Sequence, residues 1–504
     1  MLLYSEQRLP AAALLGLAIG LMGGILGLLV VLLGPVMAFG MVIGLGAGLY
    51  VLTDLYGGLY VMIAVIALIP FGKVPFNFSP KPSLLDGALG GFLVVYAFQW
   101  MTGLRRLFRS TPVTPVVLVF AGVVVFAYLM GLRHAALDPT TLRDVFETVV
   151  SLLLIPVLVD VIRDEQKLRR VVAVVILFGA VSALVGIVLW ALPDPTAEGL
   201  LDRLGRLDYP VGGVLRYREN AITVLNERAI GTWIDPNAFG GYLLMVGAVT
   251  APQIFAPKPV IPRWIAAGCL GLMVIALFLS DSRGSMLSLG AAFVFIAALR
   301  YRRLLWIMAA AAVIALILPV TQSYITKLEA GLTSRDVETQ MRFGEYRDAL
   351  RLIERYPVIG VGFSGTPEID LYLGVASTYL TIASNAGLVG LAAYLLMMGG
   401  SLGYGAVRYR QIRENPWIAD VWLGLAACIV GVLCGGIFDH FYFKIDQFQA
   451  TMTMVWILLG LLLAATYLAA GQPLSERSRS TATLAVLPGS LAKMGKAQPS
   501  GLDT

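Results

Sequence analysis

Apolar runs close to the length that crosses a bilayer alternate along this chain with short polar breaks. They fall at approximately 11–33, 36–53, 55–70, 84–100, 115–131, 145–162, 171–191, 238–256, 264–280, 285–299, 304–320, 376–406, 419–437 and 447–469. Such segments close their own backbone hydrogen bonds as helices. The pattern predicts an all-α polytopic membrane protein with about 12–14 transmembrane helices. The first run is too long for a signal peptide and has no small-residue cleavage pattern, so it counts as a span. Within it Gly16, Gly20 and Gly24 recur every fourth residue, a spacing that permits close helix approach.

The breaks orient the spans. Basic clusters at Arg105-Arg106-Arg109, Arg163–Arg170, Lys258–Arg263, Arg300-Arg302-Arg303 and Arg408-Arg410-Arg413 are separated by even numbers of spans. All can therefore share one side, read as the cytoplasm, with both termini. The organisation expected is an N-terminal transmembrane bundle (1–191), an extracytoplasmic loop (192–237), central spans (238–320), a second extracytoplasmic loop with an amphipathic helix (321–375), C-terminal spans (376–470) and a disordered cytoplasmic tail (471–504). A short turn at Phe438–Lys444 joins the two loops on the outer side.

Composition narrows the class. Of 504 residues, 58% are hydrophobic and 13% charged, about half the ~25% of soluble proteins. The net charge of +6 comes mostly from loop arginines, so it reports topology and not nucleic-acid binding. Cys269, Cys428 and Cys434 lie in apolar runs without metal-ligand spacing and read as free thiols.

The polar breaks hold the candidate chemistry. Gln340–Gly365 reads as a cationic helix that Pro357 stops near Tyr356. Arg347, Arg351 and Arg355 stack on one of its faces; Arg342, Tyr346, Ala349 and Ile353 share a neighbouring one. Such a helix between spans suits a phosphate-bearing lipid substrate. Arg203, Arg206, Arg216, Arg218 and Arg228 enrich the first outer loop. Arg283, in Leu279-Ser280-Asp281-Ser282-Arg283-Gly284-Ser285, either pairs with Asp281 or grips a diphosphate with its planar fork. Pro236 and Asn237 around Asp235 suit a helix start more than chemistry. Gly360-Val361-Gly362-Phe363-Ser364-Gly365 fits GxGxxG, but no βαβ context surrounds it and a nucleotide site is rejected. His440 is a candidate base or a member of an aromatic belt. His134 has a weaker case, and Glu368 with Asp370 reads as a solvated pair more than a metal site.

Four stretches carry a family resemblance: GTWIDPNAFGGYL (231–243), LSDSRGSMLSLG (279–290), MRFGEYRDALRLIERYPVIGVGFSG (341–365) and STYLTIASNAGLVGLAAYLL (377–396). In this order they resemble the O-antigen ligase/polymerase superfamily of bacterial membrane glycosyltransferases, over roughly the C-terminal half. The resemblance implies a GT-C-like helical fold in the bacterial cytoplasmic (inner) membrane, active on its extracytoplasmic face. The implied donor is a glycan on a polyprenyl (undecaprenyl) diphosphate, and an acceptor sugar hydroxyl, on a glycan or a lipid A core, attacks its anomeric carbon. Membrane lipids are the other partners expected. Arg283 and Arg342 sit in the matching arginine motifs. The histidine implied as base falls, counting back from Gly387, at about Ala376, leaving His440 or Glu345 as candidates or a reaction needing no strong base. The catalytic set expected is thus Arg342, Arg283, His440 and Glu345, with Arg347, Arg351, Arg216 and Arg218 binding substrate, and no metal or cofactor. Preorganised arginines can stabilise a departing diphosphate without a metal.

A polymerase is favoured over a ligase because the ligase-type histidine is missing. A protein O-glycosyltransferase lies within the same family. A transporter or flippase is the reading from another class; it predicts inverted repeats and charges at mid-membrane depth, and the sequence has neither clearly. A purely structural assembly protein is the third.

Overall fold

Short polar side chains open the helices where the breaks fall. Asp54 accepts the amides of Tyr56 and Gly57 to start α1 (Leu55–Leu68). Ser83 and Asp86 form a reciprocal capping box on α2 (Leu84–Met101). Asp138 before Pro139 starts α4 (Pro139–Leu152), Asp164 starts α6 (Glu165–Ala191), and Asp235 before Pro236 starts α8 (Pro236–Phe255). The other α-helices among the described residues are α3 (Thr114–Gly131), α5 (Leu154–Val161), α7 (Asp194–Asp202), α9 (Arg263–Leu279), α10 (Arg283–Leu299), α11 (Arg303–Ile317), α12 (Val337–Arg355), α13 (Thr378–Val407), α14 (Tyr409–Glu414), α15 (Ala419–Phe438) and α16 (Gln449–Ala470). A two-residue antiparallel pair, β1 (Arg218–Glu219) with β2 (Asn226–Glu227), lies in the loop between α7 and α8.

This computed structural model describes residues 54–74, 81–211, 218–219, 226–317, 337–364, 375–445 and 448–471, with isolated positions at 24, 31 and 46. The expected spans at 11–33 and 36–53, the Glu368/Asp370 pair and the tail beyond Gly471 lie outside the described residues. Among the described residues seven helices (α2, α3, α6, α8, α13, α15 and α16) are long and apolar enough to cross a membrane, and α1, α9 and α10 are shorter apolar helices. The chain is an all-α polytopic membrane protein. Helices α8 and α16 are its hub, each with 89% of its apolar window buried inside the protein.

One expected span is corrected. The run 145–162 forms no single helix: α4 ends at Leu152 and α5 begins at Leu154. Pro156 explains the break, because its ring and missing N–H act on the carbonyl one turn earlier, at Leu152. Within α4, buried Asp144 and Glu147 lie beside Arg143, whose Nη2 is 3.1 Å from Asp144 Oδ1.

The basic clusters do converge on one end of the bundle. Arg169 donates to the carbonyls of Lys258, Pro259 and Trp417 at 2.7, 2.7 and 3.2 Å. Arg300 Nε lies 3.3 Å from Asp420 Oδ1, and Tyr409 donates to the Leu299 carbonyl at 3.2 Å. Asp160, fully buried, collects Arg105, Arg163 and the Arg109 amide at 2.9–3.2 Å. The ends of α16 fix the scale: 22 residues separate this basic end from the turn that follows Phe438, about 30 Å at 1.5 Å per residue.

At that far end α13 is broken. Gly387 takes φ 70° and ψ −177° inside it. A break in a membrane helix leaves amides and carbonyls that no lipid can satisfy. Here the turn after α12 satisfies them. Leu388 and Val389 donate to the carbonyls of Pro357 and Val358 at 2.8 and 3.4 Å, while Val361 and Gly362 donate to those of Ser384 and Asn385 at 2.9 and 2.8 Å. Residues 357–362, with the start of the GVGFSG motif, are thus a backbone plug. A β-carbon at position 387 would collide with the Val358 carbonyl, and the backbone conformation there suits only glycine. Gly387→Ala should destabilise the protein by at least about 1–3 kcal/mol, seen as a lower thermal unfolding midpoint in detergent, whereas Gly399→Ala, on the open face of the same helix, should leave it unchanged.

Candidate functional site

The plug seats α12 against the ends of α13 and α15. Its buried face is the one carrying Arg342, Tyr346, Ala349 and Ile353, while Arg347, Arg351 and Arg355 point outward. Arg351 pairs with Asp348 at 3.0 Å and keeps 64% of its side chain exposed. The two faces read from helical spacing are therefore one docked and one solvated.

Three residues of the docked face touch neighbouring segments. Arg342 Nη1 donates to the Phe438 carbonyl at 2.7 Å. Glu345 Oε2 accepts the Ala376 amide at 3.0 Å, and the Tyr346 hydroxyl donates to the Ala376 carbonyl at 2.9 Å. Both backbone groups of Ala376 are thus held by consecutive side chains of α12. Burial pushes the Tyr346 hydroxyl up, so it stays a proton donor. Thr378 closes the arrangement by donating its amide and its hydroxyl to the Asp439 carbonyl, each at 2.9 Å.

Arg283 arrives from the other side. It is the first residue of α10, directly before Gly284. A β-carbon on Gly284 would lie 2.9 Å from Phe438 Cβ, so glycine allows the start of α10 to abut the end of α15. Phe438 therefore meets Arg342 through its carbonyl and the Arg283-Gly284 step through its side chain. The two arginine motifs, some sixty residues apart in sequence, converge on one residue.

The turn that carries Arg283 is itself held by a buried arginine. Arg228 donates to the Ser280 carbonyl at 2.8 Å, the Asn237 side chain at 2.7 Å and the Asp281 carbonyl at 3.3 Å. Asp235 caps α8 by accepting the amides of Asn237 and Ala238, both at 2.8 Å, which is the structural role its setting suggested. Arg228 stood in the sequence as one of five loop arginines; its burial sets it apart from Arg203 and Arg206, which are exposed. Of the remaining two, Arg216 lies outside the described residues, and Arg218 has its backbone paired with Glu227. Neither is brought to Phe438 by any contact described.

His440 follows Phe438 by two residues, with its ring 5.7 Å from that of Phe448 in an edge-on contact. Its Nδ1 is 3.5 Å from Asp439 Oδ1 and is buried without a hydrogen-bond partner among the described residues. Burial, with the nearby Lys444 and Arg342 cations adding to it, pushes this imidazole down from 6.5 to about 3. It is neutral at physiological pH, and a base that weak takes a hydroxyl proton poorly. Lys444, near enough to act on His440, is a cation that the sequence motifs did not single out. His134 lies away from this cluster, edge-on to Tyr356 at 6.2 Å.

The shift has a measurable consequence. Between the folded value of about 3 and the unfolded value of 6.5 the unfolded chain binds the extra proton. Stability from this group is complete above the upper value and is lost as pH falls through the window. The thermal midpoint of the purified protein should fall between those pH values, and His440→Gln should flatten the fall; an identical pH profile for both proteins would contradict the assignment.

Residues 268–395 match a protein-family model described as O-Antigen ligase. The matched stretch runs from within α9 to within α13 and so includes Arg283, Arg342, Glu345, Ala376 and the break at Gly387. No curated protein matches the chain.

Proposed function

We propose, from the match of residues 268–395 to the O-Antigen ligase family model, that this chain is a membrane glycosyltransferase of the O-antigen ligase/polymerase type using a polyprenyl-diphosphate-linked glycan as donor. The observation that carries the reading is that Phe438 accepts the Arg342 guanidinium on its carbonyl and abuts Gly284, the residue after Arg283, at the end of the bundle opposite the basic clusters. Positive-inside orientation makes that end extracytoplasmic. The prenyl tail lies along the spans, and the diphosphate meets the two guanidinium groups, whose planar forks suit phosphate oxygens.

In the proposed reaction an acceptor sugar hydroxyl attacks the anomeric carbon. The new glycosidic C–O bond forms as the bond to the diphosphate breaks, and the polyprenyl diphosphate leaves with both electrons. Arg283 and Arg342 stabilise the negative charge on the leaving group, with no step assigned to a metal. The hydroxyl proton passes to a carboxylate. Glu345 is favoured over His440 for that role, because it reaches Ala376, the position where the family resemblance implies a histidine. Its side chain enters from α12 to the place that a side chain at 376 would have served. Arg347 and Arg351, on the solvated face, are assigned at most to headgroup or glycan contact.

The test is purified full-length protein with a synthetic polyprenyl-diphosphate glycan and candidate acceptors, read by product length. A ladder of products marks a polymerase and a single transfer to lipid A core marks a ligase. Donor movement across vesicles with no new glycosidic bond would mark a transporter and overturn the reading. Arg342→Ala and Arg283→Ala should each lower turnover by roughly 10²–10³-fold, and Glu345→Gln by roughly 10²–10⁴-fold, without loss of folded protein. Unchanged product with the arginine variants would remove the arginine mechanism.

A further inference from the structure

At the basic end, about 30 Å from Phe438 along α16, a cavity of about 710 Å³ opens between the start of α6 and the end of α16. Arg109, Arg163, Lys167 and Arg170 line it, with Tyr467 at its edge. Two carboxylates, Asp164 and Glu165, also line it, so cations outnumber acids. Both acids have other work. Asp164 caps α6 through the Lys167 amide at 2.7 Å and lies 3.7 Å from Lys167 Nζ, and Glu165 accepts the Asn415 side chain at 2.6 Å. Arg163 is tied to buried Asp160 at 3.2 Å. Arg109 lies over the Tyr467 ring at 5.7 Å, and neither its guanidinium nor that of Arg170 has a carboxylate partner among the described residues. The positive end of the 27-residue α6 dipole adds to the field.

Beside these charges lies an apolar rim. Leu104 and Leu107 are 74% and 79% exposed, and Phe108 is 47% exposed. Arg163 Nη2 approaches the Leu107 carbonyl at 3.5 Å, which places this rim next to the cavity. Exposed apolar side chains beside unpaired cations, at the end of membrane-spanning helices, complement an amphiphile with an anionic head. The chain that follows Gly471 is a poor occupant, since Arg477, Arg479, Lys493 and Lys496 outnumber Glu476 and Asp503 there.

We propose that this cavity is a binding site for the phosphate headgroup of an anionic phospholipid, distinct from the arginine site at the other end. Arg109 and Arg170 contact the phosphate, Lys167 supplies longer-range attraction, and the acyl chains lie against Leu104, Leu107 and Phe108. Occupancy ties the 104–109 loop to the ends of α6 and α16.

Native mass spectrometry of the full chain in neutral detergent tests this, with cardiolipin, phosphatidylglycerol, phosphatidylcholine and sodium phosphate as separate titrants. The expected result is adducts with the two anionic lipids at concentrations where phosphatidylcholine gives none. Arg109→Gln/Arg170→Gln should weaken them by roughly tenfold or more, while Arg302→Gln/Arg303→Gln, on a different loop of the same end, keeps native affinity. Should the double variant fail to fold, Arg170→Gln alone, on an exposed side chain, should give a smaller drop in the same direction. Equal adducts with phosphatidylcholine, unchanged affinity in the Arg109/Arg170 variants or an equal loss in the Arg302/Arg303 control would overturn the proposal. Displacement of the lipid by millimolar sodium phosphate would also overturn it, by identifying a site for free anion.

Discussion

A helix that crosses a bilayer can leave no backbone group unpaired, and the break at Gly387 is where this chain meets that constraint. The orphaned amides and carbonyls of α13 are taken up by residues 357–362. Because the plug directly follows α12, its pairing fixes where that helix lies. The docking of α12 in turn sets Arg342 on the Phe438 carbonyl and puts Glu345 and Tyr346 on the two backbone groups of Ala376. Remove the pairing and the cationic helix has no reason to adopt this face. Glycine at 360 and 387 makes the approach of these two backbones sterically possible, and Gly362 lets the plug pack against Gly131 of α3.

The second half of the site depends on a different kind of restraint. Arg228 is almost fully buried and places its donors on one loop, from Ser280 to Asp281, and on Asn237. A buried guanidinium that lost those acceptors would be costly, so the turn before Arg283 is held firmly. Arginine thus appears in two roles at this end, as an internal brace and as the group assigned to substrate. At the other end arginines again divide, between the Asp160 brace and the open cavity beside α6.

Much of this was legible in the sequence, for reasons that differ by element. Run length set most helices within a few residues, since α15 and α16 are long apolar segments with polar ends. The even spacing of basic clusters foretold that they share an end, because loop charge follows topology. Helical spacing in 342–355 separated a docked face from a solvated one. Other features were hidden. The break in α13 reads as an unbroken apolar run, since Gly387 and Gly390 are ordinary in membrane helices and the partner that forces the break is a turn elsewhere in the chain. The split at Leu153 was hidden behind apolar residues on both sides, although Pro156 was the available signal. Arg228 could not be told from its loop neighbours, because burial depends on tertiary packing. His440 was visible as a rare histidine, yet the desolvation that weakens it as a base comes from the rings and cations packed around it.

The central claim is that the diphosphate is held beside Phe438, where Arg342 and the start of α10 at Arg283-Gly284 come together. A polyprenyl-diphosphate glycan carrying a photoreactive group beside the diphosphate, cross-linked to the purified full chain and mapped by peptide sequencing, tests it most directly. The account predicts saturable labelling confined to residues 279–286, 338–346 and 438–445. Labelling confined instead to the basic end, at residues 105–109, 163–170 or 467–471, would contradict it.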